Sequence, residues 1–219
     1  MKLYYATGAC SLSDRISLHE AGLPTIFVKV DLKTKTTESG ADFMTISPKG
    51  YVPALVLDSG EIITENIAVL SWIADQAPEL APVIPLGRTR LLEVLAFIST
   101  EIHKGFKPLI TPGAREVDRA NAAESISRRF KFIADTSIGP YIFGSRFTVA
   151  DAYLFVTLRW AKQFGITIPD PLLSYFQRVM ARDSVRKALI EEGLDNVSQE
   201  APHQRVGFPR LVESAARTG

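Results

Sequence analysis

The sequence predicts two unlike parts, an α/β layer with a mixed sheet followed by an all-α helical bundle. Three observations carry this expectation. Strand and helix signals alternate over residues 1–77, the prolines Pro78, Pro82 and Pro85 then crowd together, and no convincing strand signal follows them. The expected organisation is an α/β domain over 1–77, a linker over 78–86, a helical domain over 87–194 and a polar tail over 195–219.

Leu3-Tyr4-Tyr5 is a short apolar run ended by Thr7-Gly8, and predicts a strand. From Ser11 to Ala21, Leu12, Ile16 and Leu18 recur at helical spacing, and Gly22-Leu23-Pro24 supplies a stop. Ile26 to Val30 is short and largely β-branched, which completes a βαβ unit. Ala54–Leu57 and Glu61–Ile63 flank Asp58-Ser59-Gly60, a tight turn between antiparallel strands. Thr64-Glu65-Asn66 then opens a helix to about Gln76, with Ile67, Leu70, Ile73 and Ala74 on one face.

In the second part, Leu91, Leu95, Ile98, Ile102 and Leu109 form the stripe of one long amphipathic helix starting near Gly87. Ala122, Ile126, Phe130 and Ile133 mark a second. Ala150 to Trp160 is apolar nearly all round, which predicts a helix buried on every side. Leu172, Phe176, Val179 and Met180 make another, and Val185, Ala188 and Leu189 a last one closed by Gly193.

Composition narrows the function classes. With 46% hydrophobic and 22% charged residues the chain has the profile of a soluble globular protein. A net charge of +1 gives no bulk attraction to nucleic acid or an anionic membrane. No run of about 18 apolar residues exists to span a bilayer. The N-terminus shows no leader pattern, and a lone cysteine makes no internal disulfide, so a reducing, cytoplasmic setting is expected.

That cysteine, Cys10, stands directly before the first helix. Orphan N–H groups and the helix dipole would stabilise a thiolate there, although a buried structural cysteine is the competing reading. Ser11 beside it suits a helix cap. Val52-Pro53 precedes the third strand, where a cis bond would turn the Val52 main chain outward. Glu65-Asn66, at a helix start, suits either helix capping or capture of a ligand carboxylate and ammonium. Lys35 is either a solvated lysine or the partner of a second carboxylate.

His103-Lys104 lies in the long helix. There Ala96, Thr100, His103 and Lys107 share a face distinct from the leucine–isoleucine stripe, so His103 is surface or cleft lining. His19 and His203 have no partner at ligand spacing, and the glycines match no phosphate-binding loop, so neither metal nor nucleotide is expected. Phe147-Thr148-Val149-Ala150-Asp151 fits a capping box with a staple, a folding device.

Taken in order, several strings resemble the beta class of glutathione transferases, the bacterial, cysteine-containing kind. They are Met1-Lys2-Leu3-Tyr4-Tyr5, Gly8-Ala9-Cys10-Ser11-Leu12-Ser13, Val30-Asp31-Leu32-Lys33, Pro48-Lys49-Gly50 with Val52-Pro53-Ala54-Leu55, Thr64-Glu65, Glu101 to Phe106, and Phe147 to Tyr153. The resemblance implies a thioredoxin-like domain that binds glutathione, a helical domain supplying the pocket for a small hydrophobic electrophile, and a homodimer. It implies that Cys10 faces the glutathione sulfur and can form a mixed disulfide with it, with His103 beside the reacting groups. Val52 and cis Pro53 would meet the cysteinyl part, Glu65 and Asn66 the γ-glutamyl end, and Lys35 the glycyl carboxylate. Thr100 and Lys104 complete the implied glutathione site.

Three departures stand out: Asn66 replaces the usual Gly or Ser, Ala96 a frequent Asn, and the tail is longer. The same residues also suit a glutathione-dependent thiol–disulfide oxidoreductase. A non-catalytic binding protein on the same fold is the remaining alternative, which Cys10, Glu65 and His103 together disfavour.

Overall fold

The computed structural model describes residues 1–137 and 139–195. The strands are β1 (Lys2–Tyr5), β2 (Ile26–Asp31), β3 (Thr36–Thr37), β4 (Ala54–Val56) and β5 (Ile62–Thr64), in the sheet order β3-β2-β1-β4-β5. β1 runs parallel to β2, with Leu3 opposite Phe27, and antiparallel to β4, with Leu3 opposite Leu55. β4 and β5 form the expected hairpin. The sheet is therefore mixed, and the parallel pair is joined by α1 (Ser11–Glu20). The two-residue β3 pairs antiparallel with β2 and is too short to leave a periodic signal.

Helix α2 (Asn66–Gln76) begins one residue after Glu65, and Thr64 ends β5 rather than capping the helix. Alternate residues of β1 face opposite sides, as the pleat requires. Leu3 joins the large core with Leu12, Ile16, Leu70 and Ile73, while Tyr4 packs with Val30, Phe43, Val52 and Ala54.

From residue 87 onward the described chain contains only helices and turns. They are α3 (Gly87–Phe97), α4 (Lys107–Ile110), α5 (Glu116–Thr136), α6 (Val149–Gln163), α7 (Asp170–Met180) and α8 (Asp183–Glu191). The expected long helix is thus broken. Between α3 and α4 the chain passes through a π-helical segment, Ile98–His103, and a tight turn, Lys104–Phe106. The apolar stripe survives the break, because Leu91, Leu95, Ile98 and Ile102 all stay buried. At Gly105 a Cβ would stand 3.1 Å from Ile126 Cγ1, so glycine lets this segment lie close against α5.

Helix α6 is the central rod: every residue from Val149 to Arg159 is buried, as its unbroken apolar pattern predicted. It packs on α1, which also meets α8. The large core runs continuously from Leu3 and Leu12 to Tyr153, Phe155 and Val185, so sheet and bundle share one interior. No described helix is long and apolar enough to cross a membrane. Beyond Asp195 the expected polar tail lies outside the described residues.

Candidate functional site

After β1 the chain makes a tight bend that delivers Cys10 to the first turn of α1. Ser11 Oγ accepts from Ala6 N–H at 3.3 Å and closes the bend. Gly8, at φ 70°, is held from the helical part on both sides of its peptide units. Its N–H donates to Glu192 Oε2 at 2.8 Å, and its carbonyl accepts from Trp160 Nε1 at 2.8 Å. Two residues later Cys10 is buried, with its Sγ 3.8 Å from the Val52 carbonyl oxygen.

Opposing effects act on the Cys10 thiol. Burial pushes it well above its ordinary value, and the Asp14 charge adds to that, while the main-chain N–H groups of Ser11 and Cys10 pull it down. The helix-end donors expected from the sequence are present, but burial outweighs them. In the free protein Cys10 is a thiol.

The Val52–Pro53 bond is cis. No described residue accepts a hydrogen bond from Val52 N–H, which leaves that donor available to an extended ligand. Just before it, Lys35 reaches across to donate from Nζ to the Gly50 carbonyl at 2.6 Å. Glu65 has φ 73°, a region that side chains other than glycine rarely occupy. Its Oε1 accepts from Lys49 Nζ at 2.5 Å and from Tyr51 Oη at 2.6 Å. Those hydrogen bonds, Lys49 first, hold the Glu65 carboxyl below its usual range, and the Lys104 charge contributes.

The Asn66 side chain turns inward. Its amide nitrogen faces Asp14 Oδ2 at 2.9 Å and the Cys10 carbonyl at 3.2 Å, and its oxygen faces Ser13 Oγ at 3.1 Å. Asn66 therefore ties the start of α2 to the first turn of α1.

The π-helical segment sets the opposite wall. Its wider turn moves His103 and Ser99 inward and leaves Thr100 exposed, with Thr100 Oγ1 donating back to the Ala96 carbonyl at 3.0 Å. His103 Nδ1 lies 2.6 Å from the Tyr153 hydroxyl oxygen, and its ring sits edge-on to Trp160 at 4.8 Å. Burial, helped by the Lys104 charge, lowers His103 to about 4. The imidazole is neutral across physiological pH.

The fold thus gathers Cys10, Val52, Pro53, Glu65 and His103 from separate elements, with Lys35 and Lys104 at the margins. Thr100 points away. Tyr153, Ser99, Glu192, Lys49 and Tyr51 belong to the same neighbourhood and were not singled out as site residues from sequence, whereas Trp160 was expected to shape the pocket. Tyr153 sits in an apolar helix pattern that reads as core, while Lys49 and Tyr51 flank the Val52-Pro53 string and carried a usable signal. Among the described residues no group of His, Cys, Asp and Glu could hold a metal ion. Chemically, the neighbourhood offers a thiol, a neutral imidazole, a fixed carboxylate beside cations, and main-chain N–H groups at two helix starts.

Comparison with known proteins identifies the family. The glutathione S-transferase N-terminal domain model matches residues 9–76, and the glutathione S-transferase C-terminal domain model matches residues 97–183. The chain is 40% identical over 200 residues to glutathione S-transferase GstA of Escherichia coli O157:H7, covering 89% of this chain and all of that one. It superimposes with a TM-score of 0.83 on a sphingomonad glutathione S-transferase complexed with glutathione, at 44% identity over 89% of this chain and 100% of that one. The bacterial beta-class enzyme of Sphingomonas chungbukensis gives 0.81 at 43% identity, with the same shares covered. From a thioredoxin-like sheet layer joined to a helical part, and from these likenesses across both, the chain belongs to the glutathione S-transferase family and sits with its bacterial beta-class members.

Proposed function

We propose that the protein joins the thiolate of glutathione to small hydrophobic electrophiles, using a site centred on Cys10. The observation that carries this reading is the convergence at Cys10. The start of α1 and Val52 beside cis Pro53 meet at Cys10, the Glu65 charge reaches its thiol, and Tyr153, which feels the Cys10 charge, is bonded to neutral His103. A tripeptide laid along Val52 would pair with its main chain and bring its thiol to Cys10. Its γ-glutamyl ammonium would meet Glu65, its α-carboxylate the N–H groups that open α2, and its glycyl carboxylate Lys35 and Lys104.

Because Cys10 is itself protonated, its S–H serves as a donor to the glutathione sulfur. With the N–H groups of Cys10 and Ser11 it stabilises the negative charge of that sulfur. The thiolate attacks an electrophilic carbon, a C–S bond forms, and in a substitution the leaving group departs with its electron pair. The second activity at this site is thiol exchange. The small thiolate fraction of Cys10 attacks one sulfur of oxidised glutathione, giving the Cys10 mixed disulfide and releasing glutathione thiolate.

A division near the proline-rich segment 78–86, assembly as a homodimer and a reducing cytoplasmic setting belong to the same reading. Exposed Leu92 on α3 and Phe132 on α5 offer apolar surface for a second copy, and sedimentation at low concentration tests it.

The test pairs intact-mass measurement after incubation with oxidised glutathione and a chloronitrobenzene conjugation assay. The expected result is conjugation together with a slow, reducible adduct that forms faster at alkaline pH and is lost in Cys10→Ala. Neither adduct nor conjugation from a folded protein rejects the transferase reading.

A further inference from the structure

Tyr153 is fully buried on α6 between apolar neighbours, where phenylalanine would fill almost the same space. Its hydroxyl is the part that needs a reason, since a buried O–H must find a partner. Besides Ser99 and Asn66, it meets His103 Nδ1 at 2.6 Å, with the two rings edge-on at 89°.

Two arrangements fit a phenol and a neutral imidazole. Either the phenol donates to Nδ1, and Nε2 carries the ring proton, or Nδ1–H donates to the phenol, and Nε2 is a bare acceptor. The short 2.6 Å separation favours the first. An N–H···O bond usually spans about 2.9–3.0 Å, whereas O–H donors make shorter bonds. Burial keeps the Tyr153 phenol protonated in either arrangement. Ser99 and Asn66 side chains also interact with the phenol. At the other end of the ring, His103 Nε2 is neither hydrogen-bonded to a described residue nor sealed from solvent. Trp160, edge-on at 4.8 Å, keeps the imidazole from swinging away.

We propose that Tyr153 is a positioning residue that fixes His103 as the Nε2–H tautomer, making the neutral imidazole a hydrogen-bond donor to the electrophile rather than a base. The proposal rests on the glutathione-transfer reading and narrows its substrate class. A neutral donor stabilises charge that collects on an oxygen as the C–S bond forms, as in α,β-unsaturated carbonyls and nitroarenes. In the first case the π electrons move to the carbonyl oxygen, Nε2–H holds the resulting enolate, and water later supplies the proton to carbon. In the second the nitro oxygens carry the charge until halide leaves with its electron pair. His103 itself gives up no proton, and its contribution is constant between about pH 5 and 9 because the ring protonates only near 4.

The tautomer is measured directly by long-range proton–nitrogen correlation on nitrogen-15 histidine-labelled, ligand-free protein. A pyridine-like Nδ1 and a pyrrole-like Nε2 from pH 6 to 8 are expected. In Tyr153→Phe the His103 signals should move toward a tautomer mixture, with kcat falling about 10- to 100-fold and KM for glutathione unchanged. In a His103→Ala background the same substitution should cost nothing further. His103→Gln, which keeps an N–H near the place of Nε2, should retain more activity than His103→Asn. A pyrrole-like Nδ1 in the unmodified protein overturns the proposal, as does a Tyr153→Phe effect that adds in full to His103→Ala. Because the ligand-free tautomer is independent of conjugation, an inactive protein with the expected tautomer rejects the transferase reading and not the Tyr153–His103 assignment.

Discussion

Glu65 combines three features at one residue: a backbone at φ 73°, a carboxylate accepting from Lys49 and Tyr51, and a place at the mouth of α2. An exposed, solvent-screened ion pair of this kind adds little to fold stability, so stability does not explain it. Holding a charge in position does. Replacing Glu65 with Gln keeps a hydrogen-bond acceptor and removes the charge that would meet an ammonium. Calorimetric titration should show glutathione binding weakened by about tenfold or more, with the melting temperature nearly unchanged. An equal affinity would move the γ-glutamyl end elsewhere. At this scale the sequence exposed the chemistry-bearing residue types, Cys10, Glu65 and His103, but not their states. The charge on Cys10 depends on how deeply the bend buries it, and the inward turn of the Asn66 amide depends on Asp14 and Ser13 approaching from another helix. Neither is a local property of the chain.

Elements were legible wherever one periodicity held. Helix α6 announced itself by apolar residues on all sides and by Thr148 and Asp151, which form the capping box. The structure adds that Asp151 serves more than its own helix. Its Oδ2 accepts from Thr148 N–H at 2.8 Å and Oγ1 at 2.7 Å, while Oδ1 accepts from Ile142 N–H and Tyr175 Oη, each at 2.9 Å. Removing a buried acceptor with this many donors strands them all. Asp151→Ala should therefore lower unfolding free energy by about 3 kcal/mol or more, above the usual cost of a lost cap. Urea unfolding measures it, and a loss below about 1 kcal/mol would mean the donors find water. The break at Ile98–His103, by contrast, left no sequence signal. The π turn keeps Ile98 and Ile102 on the core side, so the stripe looks continuous while the polar face beside it rotates. Ser99, half-buried and acting on the Tyr153 hydroxyl, therefore gave no sign of itself in the sequence.

On the scale of the whole molecule, the two parts meet where charges are buried. Glu192, just past α8, reaches over to hold Gly8 N–H, and Arg15 lies between the rings of Tyr5 and Phe27 at 4.0 and 4.2 Å. Arg15 Nε and Glu192 Oε1 are 3.6 Å apart, an ion pair without a hydrogen bond. Burial raises Glu192 to about 7, against the pull of Gly8 N–H, Arg15, Arg159 and Lys29, while burial lowers Arg159 to about 10. On the neighbouring position Glu191 bonds His19 and approaches Arg15 from the solvent side. The sign of the linkage follows. Between the unfolded value of 4.5 and the folded value near 7, the native state binds more protons than the unfolded chain, so this group's contribution falls as pH rises through that window. The full change is roughly 3 kcal/mol. Glu192→Gln keeps an acceptor for Gly8 N–H and removes the titration. Urea unfolding at pH 5 and pH 8 should show the unmodified protein losing stability relative to the variant as pH rises. Parallel behaviour of the two would mean that Arg15 closes its gap to Glu192 and holds it ionised. In that case the clamp on the loop before Cys10 is a constant of the fold, insensitive to pH, and any acid dependence of conjugation must originate at the glutathione thiol.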